Sequence, residues 1–286
     1  MVITLENEAL AVQVNSLGAE LWSLRDKAHD TEHLWQGDPA VWAGRSPTLF
    51  PICGRLKNGA YTLEGKRYEM LLHGFARQLE HQLVEQTATT VVFRLTESPE
   101  TLAQYPFSFQ LDTRFVLEGR KLHYSFEVVN TGEAVLPFSI GYHTGLRIPF
   151  GGTGSAAEYS LTFEKGETVI SLTEENLLTG VEQSLAGDTM PLCQSIFPGS
   201  VILEGMQSKA ATLTERGTGR SLVVAFDAPF MVIWSGAKEV PFICLEPWYG
   251  LPDDPRTNGE FLTKRGLKLL EAGERFSFGQ SIEPRG

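Results

Sequence analysis

Between Phe107 and Val128 apolar and polar residues alternate with a period of two, broken once by Glu118-Gly119-Arg120-Lys121. Successive side chains point to opposite faces of a strand, so this pattern predicts two strands joined by a turn. Phe107, Phe109, Leu111, Phe115 and Leu117 share one face with Thr113, and Ser108, Gln110, Asp112 and Arg114 take the other. After the turn Leu122, Tyr124, Phe126 and Val128 face inward, while His123, Ser125 and Glu127 face outward. The pair reads as a long antiparallel hairpin with one wet face.

The same grammar recurs. Leu10 to Val14 and Ala19 to Leu24 flank Ser16-Leu17-Gly18. Tyr61-Thr62-Leu63 and Arg67-Tyr68-Glu69 flank Glu64-Gly65-Lys66, and Leu222 to Phe226 and Met231 to Trp234 flank Asp227-Ala228-Pro229. Helical periodicity is scarce: Glu260 to Leu270 is interrupted by Gly266, and Thr101 to Gln104 is long enough for one turn. Many short strands joined by Gly-rich turns predict an all-β sandwich or barrel. No linker, composition shift or internal repeat divides the chain, so residues 1–286 read as a single domain. An apolar fraction of 42%, with 17 Phe and 5 Trp, supplies a sizeable core.

The formal charge of −11, spread along the chain, argues against nucleic acid as a partner. Cys53, Cys193 and Cys244 are odd in number and widely spaced, which argues against a disulfide framework or a zinc ribbon. The start Met1-Val2-Ile3-Thr4-Leu5-Glu6 lacks the features of a signal peptide, and no run approaches the roughly 18 apolar residues that span a bilayer. These features together predict a reducing, cytoplasmic setting with no membrane partner; the oligomeric state is left open.

Three segments carry candidate chemistry. In Phe138-Ser139-Ile140-Gly141-Tyr142-His143 a strand places Phe138, Ile140 and Tyr142 on one face and Ser139, Gly141 and His143 on the other. Two small residues beside a histidine leave room for a ligand, although a histidine bonded within the core is the commoner use of such a pattern. In Pro241 to Trp248 both faces are apolar, so Glu246 sits on a strand covered on both sides. A glutamate there is paired, or has a raised pKa and a task. The third region is Phe50 to Leu56 with Leu72-His73-Gly74-Phe75-Ala76-Arg77, where Arg55 and Arg77 lie on predicted loops. Arg forks suit sugar hydroxyls, carboxylates or phosphates, but a surface ion pair is the commoner use. His81 and His123 read as ordinary strand residues. His29 and His33 have metal-like spacing but no clear third ligand, and read as solvated loop residues. No phosphate-binding glycine loop and no nucleophile-elbow serine is present.

GRLKNGAYTLEGKRYEM (54–70), LHGFAR (72–77), SIGYHTGLRIPF (139–150) and PFICLEPWYGLPDD (241–254) occur in an order that resembles the aldose 1-epimerase, or galactose mutarotase-like, superfamily. The resemblance is closest to the bacterial branch often encoded beside lactose-utilisation genes. It implies a large twisted β-sandwich, the supersandwich, and an enzyme that interconverts α and β anomers without a cofactor or a metal. His143 matches the family's general acid, Glu246 its general base, and His73 a second histidine near the ring oxygen. Arg55 matches a substrate-contacting arginine, and Arg77 resembles the arginine of the hexose-6-phosphate branch. Trp248, Trp234 and Phe242 are the aromatic candidates for stacking on the sugar. Two departures bear on which sugar is bound. His143-Thr144-Gly145-Leu146 replaces an HxYF-type block, and Ser200 stands where related chains carry an Asp in the segment 197–202, with Asp253 a substitute.

That chemistry suits a carboxylate and an imidazole. One removes the C1 hydroxyl proton while the other protonates the ring oxygen, the ring opens to the aldehyde, and closure follows with roles exchanged. An anionic Glu246 beside His143 is expected to raise the imidazole pKa. The partner is then a small sugar, a hexose or a hexose phosphate. In the phosphate reading Arg55 and Arg77 form the anion site, with Arg147 or Lys57. Two further readings are a sandwich that binds carbohydrate without catalysis and a module of a larger glycoside-processing assembly.

Overall fold

The computed structural model describes residues 1–152, 154–167, 170–183, 187–192, 200–236 and 239–286. Cys193 and residues 197–199 lie outside them. Half of the described residues are in strands and 8% in helices. A nine-stranded antiparallel sheet runs in the order Thr189–Pro191, Tyr159–Phe163, Ala210–Glu215, Ser221–Phe226, Arg275–Arg285, Lys121–Asn130, Phe109–Glu118, Thr90–Thr96, Gln82–Gln86. The hairpin expected from the alternation is its centre, in register from Lys121↔Glu118 to Asn130↔Phe109. Phe109, Leu111, Thr113, Phe115 and Leu117 are buried, as are Leu122, Tyr124, Phe126 and Val128.

A seven-stranded sheet supplies the other large layer. Ile140–Gly141 and Thr144–Arg147 both pair with Phe242–Tyr249, followed by Phe230–Trp234, Val201–Glu204, Ile170–Glu174 and Leu177–Gln183. A four-stranded meander, Val2–Glu6 to Thr31–Glu32, a small hairpin of Ala60–Leu63 with Lys66–Glu69, and a two-stranded pairing of Leu136–Phe138 with Lys268–Leu270 complete the strands among the described residues. The weakly helical Glu260 to Leu270 is a 3-10 turn, Phe261–Thr263, and a short strand, Lys268–Leu270; Pro99–Gln104 forms one short α-helix capped by Ser98. Among the described residues no helix is long and apolar enough to cross a membrane.

Tyr142 ties the two large sheets together. Its ring stacks on Phe126 (4.5 Å between centroids), and its hydroxyl donates towards Tyr124 O (2.8 Å) and Phe278 O (3.1 Å) of the nine-stranded sheet. Next to it, Gln280 Nε2 donates to Thr144 Oγ1 (3.0 Å), which also meets Ser46 Oγ (3.0 Å). Buried bonds of this kind contribute about 1 kcal/mol each and cost more to leave unmade. With Tyr142 and Thr144 anchored inward, the residue between them is turned the other way. That residue is His143.

Candidate active site

His143 projects into a cleft of about 270 Å³. At about 30 Å³ per water in the liquid, the space equals roughly nine waters, the scale of one small polar molecule. The cleft opens between the Phe242–Tyr249 and Phe230–Trp234 strands and the loops carrying Trp42, His73 and Pro252.

Glu246 meets His143 across the cleft, with Oε1 3.5 Å from Nε2. Its carboxyl is 1% exposed, and Oε2 and His143 Nδ1 have no hydrogen-bond partner. Burial pushes Glu246 well above the usual carboxylate range, opposed by the Trp248 indole N–H, which itself donates to Tyr142 O at 2.9 Å. Burial also takes His143 down to about 3, with the nearby Arg77 charge adding to the fall. The net shift of His143 is therefore downward, opposite to the rise expected from an anionic Glu246, because desolvation is its largest cause. Desolvation favours a carboxylic acid beside a neutral imidazole over carboxylate beside imidazolium, two forms that differ only in where one proton sits.

His73 stands edge-on to His143 (5.3 Å, 90°) and to Trp248 (5.7 Å). Its Nδ1 accepts from Gly54 N (3.1 Å), which leaves the proton of a neutral ring on Nε2. Burial holds its pKa well below the ordinary value, and the nearby His143 and Arg77 charges act in the same direction. The ring is thus a fixed donor rather than a cation. Holding it there requires His73 at φ 65°, a backbone region that costs a side chain some strain.

Trp42 lies flat on His143 (5.0 Å, 29°) and on Phe242 (5.1 Å, 27°), edge-on to Trp234. Two glycines make room for it: a Cβ at Gly145 would meet the Trp42 ring at 2.8 Å and one at Gly44 at 2.7 Å. This residue was missed by sequence reasoning. Its signal was a large aromatic inside the polar Gly- and Pro-rich stretch 37–47, where no strand pattern accounts for it. Thr173, Asn176, Ser200 and Ile202 also line the cleft.

The other expected residues divide. Arg77 lines the cleft, with Nη2 donating to Leu72 O (3.0 Å) and a buried Nε that has no partner. Trp248 and Trp234 line it, whereas Phe242 is buried beneath Trp42. Arg55 does not line it: its side chain is exposed beside a separate groove with Glu69 and Gln104. Asp253 does not line it either. Its Oδ1 pairs with Lys264 Nζ at 2.6 Å and its Oδ2 accepts from Lys57 N at 2.8 Å, so both oxygens serve the loop. The space expected at Gly141 is filled, because a Cβ there would lie 2.4 Å from Trp248 Cδ1; Ser139 is closed over by Gly250. His33 is corrected too: it is buried under Phe150 with neither nitrogen bonded, while His29 is exposed and meets Asp26. His81 is also buried, bonded to Ala76 O at 3.0 Å.

The sequence matches the aldose 1-epimerase family over residues 1–283. The chain belongs to that family. It is 35% identical over 265 residues to the chromosomal LacX protein of Lactococcus lactis subsp. lactis, covering 88% of each chain. The branch that includes the LacX proteins is therefore its place in the superfamily. Its fold superposes with a TM-score of 0.95 on a galactose mutarotase related enzyme from Lactobacillus acidophilus, at 28% identity and 100% and 98% coverage of the two chains. A galactose mutarotase-like protein from Lactobacillus casei gives 0.93 at 29% identity, with both chains fully covered. Within this family of sugar epimerases, the supersandwich fold expected from the sequence is the fold observed.

Proposed function

We propose that this aldose 1-epimerase family member interconverts the α and β anomers of an unphosphorylated hexose, with Glu246 and His143 as the exchanging base and acid. The observation that carries the reading is the 3.5 Å approach of two buried, incompletely bonded groups inside one sugar-sized cleft. A binding site alone has no use for a carboxyl held at that desolvation cost.

The pair carries one dissociable proton. As carboxylate and imidazolium it takes the C1 hydroxyl proton onto Glu246 and gives the His143 proton to the ring oxygen. The C1–O5 bond breaks, the aldehyde forms, and the pair is left as carboxylic acid and neutral imidazole. Rotation about C1–C2 and the reverse transfers close the ring on the other face. Burial favours the second form of the pair, so reaching the carboxylate and imidazolium form that starts the step is part of its cost. His73, neutral and donating through Nε2, is suited to an oxygen lone pair of the sugar. Among the described lining residues Arg77 is the one permanent cation, and Arg55 lies outside, so support for a phosphate subsite is reduced to a single guanidinium.

The test is α/β exchange measured by saturation-transfer NMR on a panel of hexoses and hexose 6-phosphates. Glu246→Gln is expected to abolish exchange with sugar binding largely kept, and His143→Ala to slow it by about 10²–10⁴-fold. Wild-type turnover by either variant removes that residue from the mechanism. Preference for phosphosugars would transfer the assignment to the hexose-6-phosphate reading, and binding without acceleration to the non-catalytic one.

A further inference from the structure

We propose that His143, Cys244 and Glu246 form a binding site for a thiophilic divalent cation such as Zn²⁺, and that occupation of this site inhibits the enzyme. One nitrogen, one sulfur and one carboxyl oxygen from these residues all lie within 4.8 Å of one another, and all three residues are buried. Cys244 and Glu246 are two apart on the Phe242–Tyr249 strand, so they share a face; His143 comes to them from the adjoining segment. The 3.5 Å separation of His143 Nε2 and Glu246 Oε1 fits a metal. An ion about 2.0–2.1 Å from each atom would subtend about 113–122°, near the tetrahedral angle. The sulfur reaches bonding distance with a shift on the order of 1 Å.

A second observation points to a ligand. Glu246 Oε2 is buried without a partner, on a side chain 1% exposed. The donors are one imidazole, one thiol and one carboxyl, the set that favours zinc over calcium or magnesium. The fourth position of a tetrahedral ion opens to the cleft, where a water or a sugar oxygen completes the shell. Coordination releases the thiol proton and the proton shared by the pair, and no oxidant or reductant is needed. Metal binding stands on this geometry alone; its inhibitory consequence rests on the acid–base reading, because the ion occupies the two groups that would move protons.

The experiment is a titration of the full chain with Co²⁺, which reports tetrahedral thiolate ligation by intense visible bands and a sulfur-to-metal charge-transfer band, followed by displacement with Zn²⁺. Wild-type protein is expected to show both signals. Cys244→Ser is expected to lose the charge-transfer band and to weaken Zn²⁺ binding at least tenfold, while Cys53→Ser and Cys193→Ser keep both. In the exchange assay Zn²⁺ is expected to inhibit wild type, reversibly with EDTA, at a concentration at least ten times lower than for Cys244→Ser, each compared with its own activity without metal. Should Cys244→Ser misfold, a shift of the Co²⁺ visible bands of wild type on adding sugar, with the charge-transfer band kept, reports the same site, and bands that do not move count against it. Absence of the charge-transfer band, or equal Zn²⁺ sensitivity of wild type and Cys244→Ser, overturns the proposal. A Co²⁺ spectrum in a chain without anomerase activity sinks the proposed function and leaves the metal site standing.

Discussion

Gly141→Ala adds one methyl group to the strand end that precedes His143, and the structure fixes what it meets. The new carbon would lie 2.4 Å from Trp248 Cδ1 and 2.9 Å from Cγ, a full ångström inside van der Waals contact. Gly141 is absent from the positive-φ residues, so the alanine backbone is unstrained and the clash is the whole effect. Trp248 has little freedom to yield. It is 3% exposed, its indole N–H is held by Tyr142 O, and His73 stands edge-on to its ring. Overpacking of this kind costs about 1–3 kcal/mol. With about 2–4 °C lost per kcal/mol in a chain of this size, Tm is expected to fall by about 2–12 °C. The larger effect is expected in turnover, because displacement is passed to His73 and Tyr142, and a 1 Å misplacement costs on the order of 10²-fold. The assay pairs scanning calorimetry with α/β exchange kinetics. A variant with wild-type Tm and wild-type turnover would show that the indole is not confined by this glycine, and the steric reasoning fails.

Trp42→Ala uncovers His143 and removes its flat neighbour, so exchange is expected to slow by about 10²-fold while Trp42→Phe keeps most of it, measured in the same assay. Lys264→Met strands a buried Asp253 carboxylate and is expected to cost about 3–5 kcal/mol in urea unfolding, most of it recovered in the Asp253→Asn/Lys264→Met double variant. Acid should destabilise the fold through His33 and His81, which burial takes down to about 4. Their unfolded values are near 6.5, so the unfolded chain binds more protons between pH 6.5 and 4, and stability falls as pH falls through that window, by about 3 kcal/mol for each group. His81→Gln is expected to flatten the urea-midpoint profile between pH 7 and pH 4 by about one histidine, and an unchanged slope would count against it.

What could be read from the sequence was what is local. The two-residue period states which side of a strand faces the core, and the Phe109–Asn130 hairpin follows from it without knowledge of any other element. The same logic made Glu246 conspicuous, since a carboxyl in a strand apolar on both faces has few harmless explanations. Whether a loop side chain turns into a cleft is a different kind of fact. Arg55 and Asp253 lie in segments that match the family, yet one points to solvent and the other holds Lys264 and the Lys57 amide. Trp42 stands out in its loop, but its role is not legible there because its partners, His143, Phe242 and Gly145, come from remote segments. His33 misled because the polar residues around it suggest solvent, while the chain folds it under Phe150.

The small residues of the 139–145 segment show how sequence and site are joined. Gly141 and Gly145 suggest open space when read alone, but both are filled by indoles that belong to the cleft wall. Their smallness therefore serves the cleft indirectly. It admits Trp248 and Trp42, which in turn strip water from His143, His73 and Glu246. Dehydration of these groups is what moves His143 and Glu246 towards the neutral pair, since burial is the leading cause of both shifts. On this account a glycine and the carboxyl's pKa are coupled through a tryptophan. The steric and electrostatic descriptions of the site are then one description, and enlarging either glycine should perturb proton transfer even where the fold survives.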